Sequence, residues 1–304
     1  MPWLDHPSYV PVRDALIGRL REGSHQMSTR FPIVFLCGGA GSTRRDSLAQ
    51  YLRQKTPALV FYAEEVWGTV RLDPAGDALQ MEGRLAELAD MVVVIVESAG
   101  TIAELGAFSL NQRLLTKLLP IVDSQYARDE SFINTGPLRS VSQESAFRPV
   151  IHTKFKDSFL LCAGQVEQRL KLIPNLSYKL AASTIAFNSK QLLVFLVALV
   201  ALLFPVSERH LDFYLSRIFD LSRPVRVGEL LSLAVSLGVL REVVLRAGPD
   251  GDRFYVPAAH RPMLETEHFD SSAARARIFG VIQRIPRALT AIEQLEMDNS
   301  RAAR

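Results

Sequence analysis

Cysteine is scarce: the 304 residues hold two, Cys37 and Cys162. Two thiols make at most one bridge, which excludes a disulfide framework, and no Cys/His group has zinc-ligand spacing. No structural metal and a reducing cytoplasm are therefore expected. Long apolar runs are also missing. The most apolar stretch, residues 192–204, is thirteen residues long, whereas a spanning helix needs about 20. It predicts a buried core helix and no membrane association. Residues 1–10 include a proline and an aspartate around no apolar core, so they do not form a secretory signal. Neither sign of charge dominates: a net +3 permits an anionic partner without requiring one. The common nucleotide fingerprints are incomplete too. Gly38-Gly39-Ala40-Gly41 follows an apolar run, but Arg44 stands where a dinucleotide motif places its third glycine, and no P-loop lysine follows. Such a stretch serves equally as a tight strand-to-helix turn or as a cradle for a phosphate or ribose.

What remains is ordinary globular composition, 48% hydrophobic and 22% charged, over a length that suits two cores. Residues 11–23 have apolar positions at helical spacing. Short β-rich runs at 31–37, 59–62, 91–96 and 118–122 then alternate with helical stretches at 47–54, 79–88 and 103–115. This alternation predicts an α/β fold, a Rossmann-like parallel sheet with helices on both faces. In such sheets ligands bind beyond the carboxyl ends of the strands. Residues 128–149 read as a polar loop, 157–172 as helix and 175–190 as a connector. Further on come helices at 192–204, 208–219 and 227–238, with a turn at Arg223-Pro224. Strands at 239–245 and 253–256 flank Gly248-Pro249-Asp250-Gly251, and a last helix covers 273–296. That is a winged-helix order. The expected organisation is an N-terminal helix (1–30), a catalytic domain (31–165), a helical connector (166–190) and a mainly helical winged-helix-like domain (191–304).

The segment richest in chemistry runs from Glu97 to Phe108: it leaves a buried strand, turns at Gly100-Thr101 and enters a helix whose amides attract anions. Two roles are open for Glu104. Thr101-x-x-Glu104 has the spacing of a capping box, in which the two side chains satisfy orphan backbone amides. Alternatively, the carboxylate sits against the anomeric carbon of a bound nucleotide, where it stabilises or attacks the oxocarbenium-like centre. Ser98 either bonds a ribose or phosphate or ends its strand. Tyr62 and Glu64 follow the second strand as candidate ribose or base contacts, or as plain loop residues. Asp90 reads as a turn residue and Asn111 as a surface one.

Four segments carry a family resemblance: Phe31 to Gly39 (FPIVFLCGG), Asp90 to Ser98 (DMVVVIVES), Gly100 to Ser109 (GTIAELGAFS) and Ser131 to Arg139 (SFINTGPLR). Together they resemble the retron-associated effector family, whose members join a nucleoside deoxyribosyltransferase-like domain to a winged-helix-like DNA-binding domain. The close likeness covers about residues 31–145. The resemblance implies that Glu104, the glutamate of the G-T-x-A-E-L-G segment, is the nucleophile. Around it, Gly38, Gly39, Tyr62, Glu64, Ser98, Gly100 and Thr101 are the candidate substrate-binding residues read from their places at the strand ends, and Asn134, in the matched loop, is a candidate to complete a neighbour's pocket in an oligomer. The resemblance implies cleavage of the N-glycosidic bond of NAD or a related nucleotide, bound as substrate with no cofactor. That activity would be a toxic anti-phage response, held in check by a retron reverse transcriptase and its RNA–DNA product, the msDNA. Two rivals stand beside it: a deoxyribosyltransferase of nucleotide salvage, and a DNA-binding regulator that senses a nucleotide without breaking it.

Nicotinamide in NAD is already cationic and leaves neutral, so one carboxylate suffices, whereas a neutral base needs a proton donor. No second acid adjoins Glu104 in sequence; Glu64, Glu65 and Asp90 reach it only through folding. In residues 191–304, fourteen arginines and no lysine balance thirteen acids. Nucleic-acid binding there needs arginines gathered on one side, with Arg223, Arg226, Arg241 and Arg246 as candidates; a purely protein-binding role is the alternative.

Overall fold

The computed structural model describes residues 3–22, 24–29, 31–67, 78–174, 176–181, 189–219, 226–245, 252–258 and 270–302. Along the chain, α1 (Val10–Glu22) and β1 (Ser24–Thr29) come first. An alternating series follows: β2 (Ile33–Cys37), α2 (Thr43–Lys55), β3 (Leu59–Phe61), α3 (Ala63–Trp67), α4 (Ala78–Leu88), β4 (Met91–Val96), α5 (Ala99–Leu110), α6 (Gln112–Leu115) and β5 (Leu118–Asp123). Then come α7 (Phe132–Thr135), α8 (Pro137–Glu144), β6 (Ile151–Thr153), α9 (Ala163–Leu170), β7 (Leu176–Ala181) and α10 (Ser189–Leu203). The chain ends with α11 (Glu208–Ile218), α12 (Val227–Ser236), β8 (Leu240–Leu245), β9 (Asp252–Pro257), α13 (Ser271–Ile282) and α14 (Pro286–Ala302).

Two compact units result, residues 30–175 and residues 1–29 with 176–304. The first is the α/β unit. Its five strands are all parallel, in the order β3-β2-β4-β5-β6. β4 is the sequence MVVVIV, with its first five residues buried; β-branched side chains on both faces suit a strand covered by helices on each side. Alternation along β2 divides the core. Val34 and Leu36 join the cluster that includes Leu48 and Leu52 of α2 and Val166 and Leu170 of α9. Phe35 faces the other way, stacked on Phe61 at 5.0 Å and tilted against Phe108 of α5 at 6.5 Å. Residues 128–149, expected as loop, contain the short helices α7 and α8: Ser131 caps the first, and Pro137 opens the second at a position where no amide is needed. Helix α9 begins at Ala163, after a single 3-10 turn, later than the pattern predicts.

The second unit is discontinuous in sequence. β1 pairs antiparallel with β7, from Ser24 opposite Ala181 to Thr29 opposite Leu176, so the first part of the expected connector is a strand. Helix α10 is buried along its length, Leu193, Val194, Leu196 and Val200 fully, and no described helix is long and apolar enough to cross a membrane. α10, α11, α12 and the β8–β9 hairpin keep the winged-helix order, and Val206, between α10 and α11, bridges to Tyr255 of the hairpin. The N-terminal segment packs here too: Trp3 stacks on Phe254 at 5.6 Å, and the Tyr9 and Tyr214 hydroxyls meet at 2.9 Å in the core. The expected turns at Arg223-Pro224 and Gly248 to Gly251 lie outside the described residues.

Candidate active site

Strand order locates the crevice. From β2 the chain passes to β3 on one side and returns to β4 on the other, and a reversal of this kind opens a ligand crevice beyond the strand ends. Cys37 and Gly38 leave β2 at that point, and the segment from Glu97 to Glu104 leaves β4 beside them. Glu97 is committed to holding the walls together. It accepts from the Gly39 amide at 3.0 Å and from Arg44 at 2.8 Å, while Arg44 also donates to the Phe155 carbonyl at 3.1 Å. Gly38 has no room for a side chain: a Cβ would lie 2.9 Å from the Arg45 side chain.

The start of α5 decides between the two roles of Glu104. Ser98 is the N-cap, its hydroxyl accepting from the Thr101 amide at 3.2 Å; the Thr101 hydroxyl accepts in return from the amides of Ser98 at 3.0 Å and Glu97 at 3.1 Å. The expected box between Thr101 and Glu104 does not form. Helix begins at Ala99, so Glu104 lies beyond the orphan amides of the first turn. The helix buries Thr101, Leu105 and Phe108, and Glu104 lies half-buried at the edge of that stripe. Its Oε2 is buried and takes no hydrogen bond among the described residues. A buried carboxylate oxygen without a partner is costly, and the cap of α5 does not require it.

Four other groups face this carboxyl. Burial raises the Glu104 pKa first of all; the Cys37 thiol against it pulls the value down, Glu64 pushes it up and Arg45 pulls it down. Cys37 shares its face of β2 with Phe35, which is how strand alternation delivers the thiol to α5. Burial and the adjoining Glu104 hold the thiol well above its ordinary range. Glu82, on α4, is half-buried; burial, then repulsion from Glu104 and Glu64, lift its pKa to about 7. Arg45 is the cation among these acids. Almost entirely buried, it bonds the exposed Glu64 at 2.6 Å and lies over the Tyr62 ring at 4.2 Å. Tyr62 is buried, its hydroxyl donates to Asp46 at 3.3 Å, and burial pushes its pKa up to about 12. Among the described residues no His/Cys/Asp/Glu group is arranged to hold a metal ion.

The family model described as STM3845 retron effector protein matches residues 41–242. This chain belongs to the retron effector family. Two Escherichia coli relatives are similar to parts of it. The "Retron Ec86 putative ribosyltransferase/DNA-binding protein" is 31% identical over 173 residues, 55% of each chain. The protein of the same description from retron Ec73 is 33% identical over 121 residues, 37% of this chain and 38% of that one. The matched stretches thus span about half or less of those relatives.

Within this retron effector, the fold draws Gly38, Glu64, Thr101 and Glu104 to the crevice, with Tyr62 linked through Arg45. Ser98 and Thr101 are engaged in capping, and Gly100 meets only the Ser98 hydroxyl, at a relaxed 3.7 Å from an added Cβ. Asn134 is occupied elsewhere: its amide donates to the carbonyls of Tyr126 at 2.9 Å and Asp129 at 2.7 Å, tying up its own loop. Asp90 exchanges hydrogen bonds with Ile33 at the opposite end of the strands, and Asn111 caps α6. The sequence reading missed Glu82, Cys37 and Arg45.

Proposed function

We propose that this retron effector is an N-glycosidase that cleaves the bond between ribose and base in NAD or a related nucleotide, with Glu104 as the catalytic carboxylate. One observation carries the reading: Glu104 Oε2 is buried without a hydrogen-bond partner among the described residues, at the strand-order reversal, while capping of α5 is done by Ser98 and Thr101. In the reaction a Glu104 oxygen bonds to C1′ as the C1′–N bond breaks and the base departs with the electron pair. Water then hydrolyses the glycosyl ester, releasing the sugar and restoring the carboxylate. Burial raises the Glu104 pKa, and the Cys37 thiol and Arg45 work against that rise, toward the ionised form that a nucleophile requires.

Substrate choice follows from charge. The carboxylates of Glu104 and Glu64 against the single Arg45 leave a negative site that favours a cationic base, and nicotinamide in NAD fits that description. Glu82 adds a proton donor that the sequence did not reveal. With a pKa of about 7 it is matched to protonating a neutral leaving base, which brings nucleoside monophosphates and deoxynucleosides within the chemistry of the site. In the cell this activity would act as the toxic arm of a retron anti-phage system, restrained by the reverse transcriptase and its msDNA, in an oligomeric assembly. Incubating purified protein with NAD, nucleoside monophosphates and deoxynucleosides, and reading products by mass spectrometry, tests the proposal. Release of free base that needs Glu104 supports it; intact substrates throughout, or transfer of the sugar only to a second base, would count against it.

A further inference from the structure

Winged-helix proteins commonly read DNA with the helix that precedes the hairpin. In this chain that helix is α12, and it is built for another purpose. Val227, Leu230, Leu231, Ser232, Leu233 and Ala234 are buried, and the only charged side chain on α12 is Glu229. Glu229 bonds Arg226 at 2.9 Å, so neither offers a free cation to a groove. Of the other arginines expected to form a basic face, Arg223 and Arg246 lie outside the described residues.

The cations are concentrated further on. Residues 271–292 contain four arginines and no carboxylate, although the C-terminal region as a whole is balanced. Arg275 turns inward: it donates to the carbonyls of Leu202 and Phe204 and stacks on the Phe204 ring at 3.5 Å. Arg277 and Arg284 are exposed, with no ion-pair partner among the described residues. Arg277 lies on α13, Arg284 in the turn that follows it, and Arg287 at the start of α14. The exposed neighbours Ser271, Ser272, Ala273 and Ala276 are small, which lets a bulky polymer approach the helix closely. From this arrangement we infer that α13 and the turn into α14 form a phosphodiester-binding face, which grips the backbone of a nucleic acid without reading its bases. Beyond the capping Asp270, the exposed cations of this stretch have no carboxylate beside them in sequence until Glu293, and such cations neutralise phosphates; without base-edge contacts they carry no sequence information.

The test uses the full-length protein and a labelled RNA–DNA hybrid oligonucleotide, with duplex DNA of unrelated sequence beside it, titrated between about 50 and 200 mM salt. The double variant Arg277→Gln/Arg284→Gln should weaken binding of both probes alike. It should flatten the slope of log affinity against log salt by about 2, close to one per lost phosphate contact. Arg277→Lys/Arg284→Lys should restore most of the affinity, because a backbone contact needs charge more than fork geometry; this arm separates lost contacts from lost folding. Unchanged affinity and slope in the glutamine variant overturns the inference. So does a loss that instead follows Arg241→Gln/Arg253→Gln on the β8–β9 hairpin, or wild-type protein that binds neither probe at the lowest salt. None of these readouts depends on glycosidic cleavage.

Discussion

Replacing Glu104 by glutamine separates chemistry from architecture. The side chain keeps its shape but loses its charge. A carboxylate about 4 Å from a developing oxocarbenium ion, at an effective dielectric near 20, contributes about 4 kcal/mol. At about 1.4 kcal/mol per decade this corresponds to a rate loss on the order of 10³-fold, and more if a covalent ester forms. The fold should not notice the change, since the cap of α5 belongs to Ser98 and Thr101 and Glu104 Oε2 accepts nothing among the described residues. Removing a buried negative charge that sits beside Glu64 and Glu82 should leave thermal stability equal or higher at neutral pH. By contrast, Ser98→Ala should cost about 1 kcal/mol of stability through the lost cap. The assay pairs thermal unfolding with single-turnover release of base, read by mass spectrometry, and expression toxicity in cells serves as a third readout. A glutamine variant that turns over at near wild-type rate would refute the catalytic assignment. A variant that unfolds well below the parent would show instead that the carboxylate has a structural partner.

Glu82 and Cys37 supply further checks. The pKa of Glu82 is raised from 4.5 to about 7, so the stability its protonated form contributes is complete below about pH 4.5 and is lost as pH rises through 7. Glu82→Gln should therefore gain on the wild type between about pH 5 and 8, by about 1–2 kcal/mol once screening at a half-buried group is allowed for; equal unfolding curves at pH 5 and pH 8 would contradict this. The same substitution should remove the fall in kcat/KM for neutral-base substrates above pH 7 and leave NAD cleavage nearly unaffected, as a pH–rate series would reveal. The Cys37 thiol lowers the Glu104 pKa, so Cys37→Ala should move the acidic limb of the NAD rate profile to higher pH. A limb that stays in place would mean that the thiol does not act on the carboxylate.

Much of the α/β unit was legible because its signals are local. The run Met91 to Val96 is strongly β-branched and ends before a glycine-opened helix, and that pattern alone places Glu104 beyond a strand's carboxyl end. The capping expectation failed by a small margin: Ser98 is also a good N-cap, and the residue nearer the strand won. Glu82 gave no local signal. It is one acid on an amphipathic helix, and only the packing of α4 brings it to Glu104. Cys37 read as another apolar residue of β2, although the alternation that sends Phe35 toward α5 sends Cys37 there too. Arg45 gave no local signal either: in the first turn of α2 an arginine reads as a solvated residue, and only the packing of that turn buries it. The pairing of β1 with β7 was out of reach, since Thr29 and Leu176 are separated by a whole folding unit.

That pairing has a consequence for how the chain is divided. The α/β unit, residues 30–175, is an insertion between two segments of the other unit. Thr29 and Leu176, which flank it, are cross-strand partners, so the insert leaves and rejoins its host at adjacent points of one two-stranded ribbon. Partners in such a register are what a two-residue Asn-Gly turn joins in a β-hairpin. Each unit also has its own core: Trp3, Tyr9 and Tyr214 are buried within one, and Val34, Leu48, Val166 and Leu170 within the other. A chain in which Asn-Gly replaces residues 30–175 should therefore fold cooperatively and retain whatever nucleic-acid binding the C-terminal unit has. A fragment of residues 31–174 should keep the α/β core and the Glu104 chemistry. It must extend past α9, because a fragment cut near Gly164 discards Val166 and Leu170 from the core, and Leu-to-Ala losses of that kind cost about 2–5 kcal/mol each. Circular dichroism, thermal melting and base release on the two pieces decide the matter. If the shortened host stays unfolded while the insert folds, the ribbon depends on the α/β unit, and the division into two self-sufficient units is wrong.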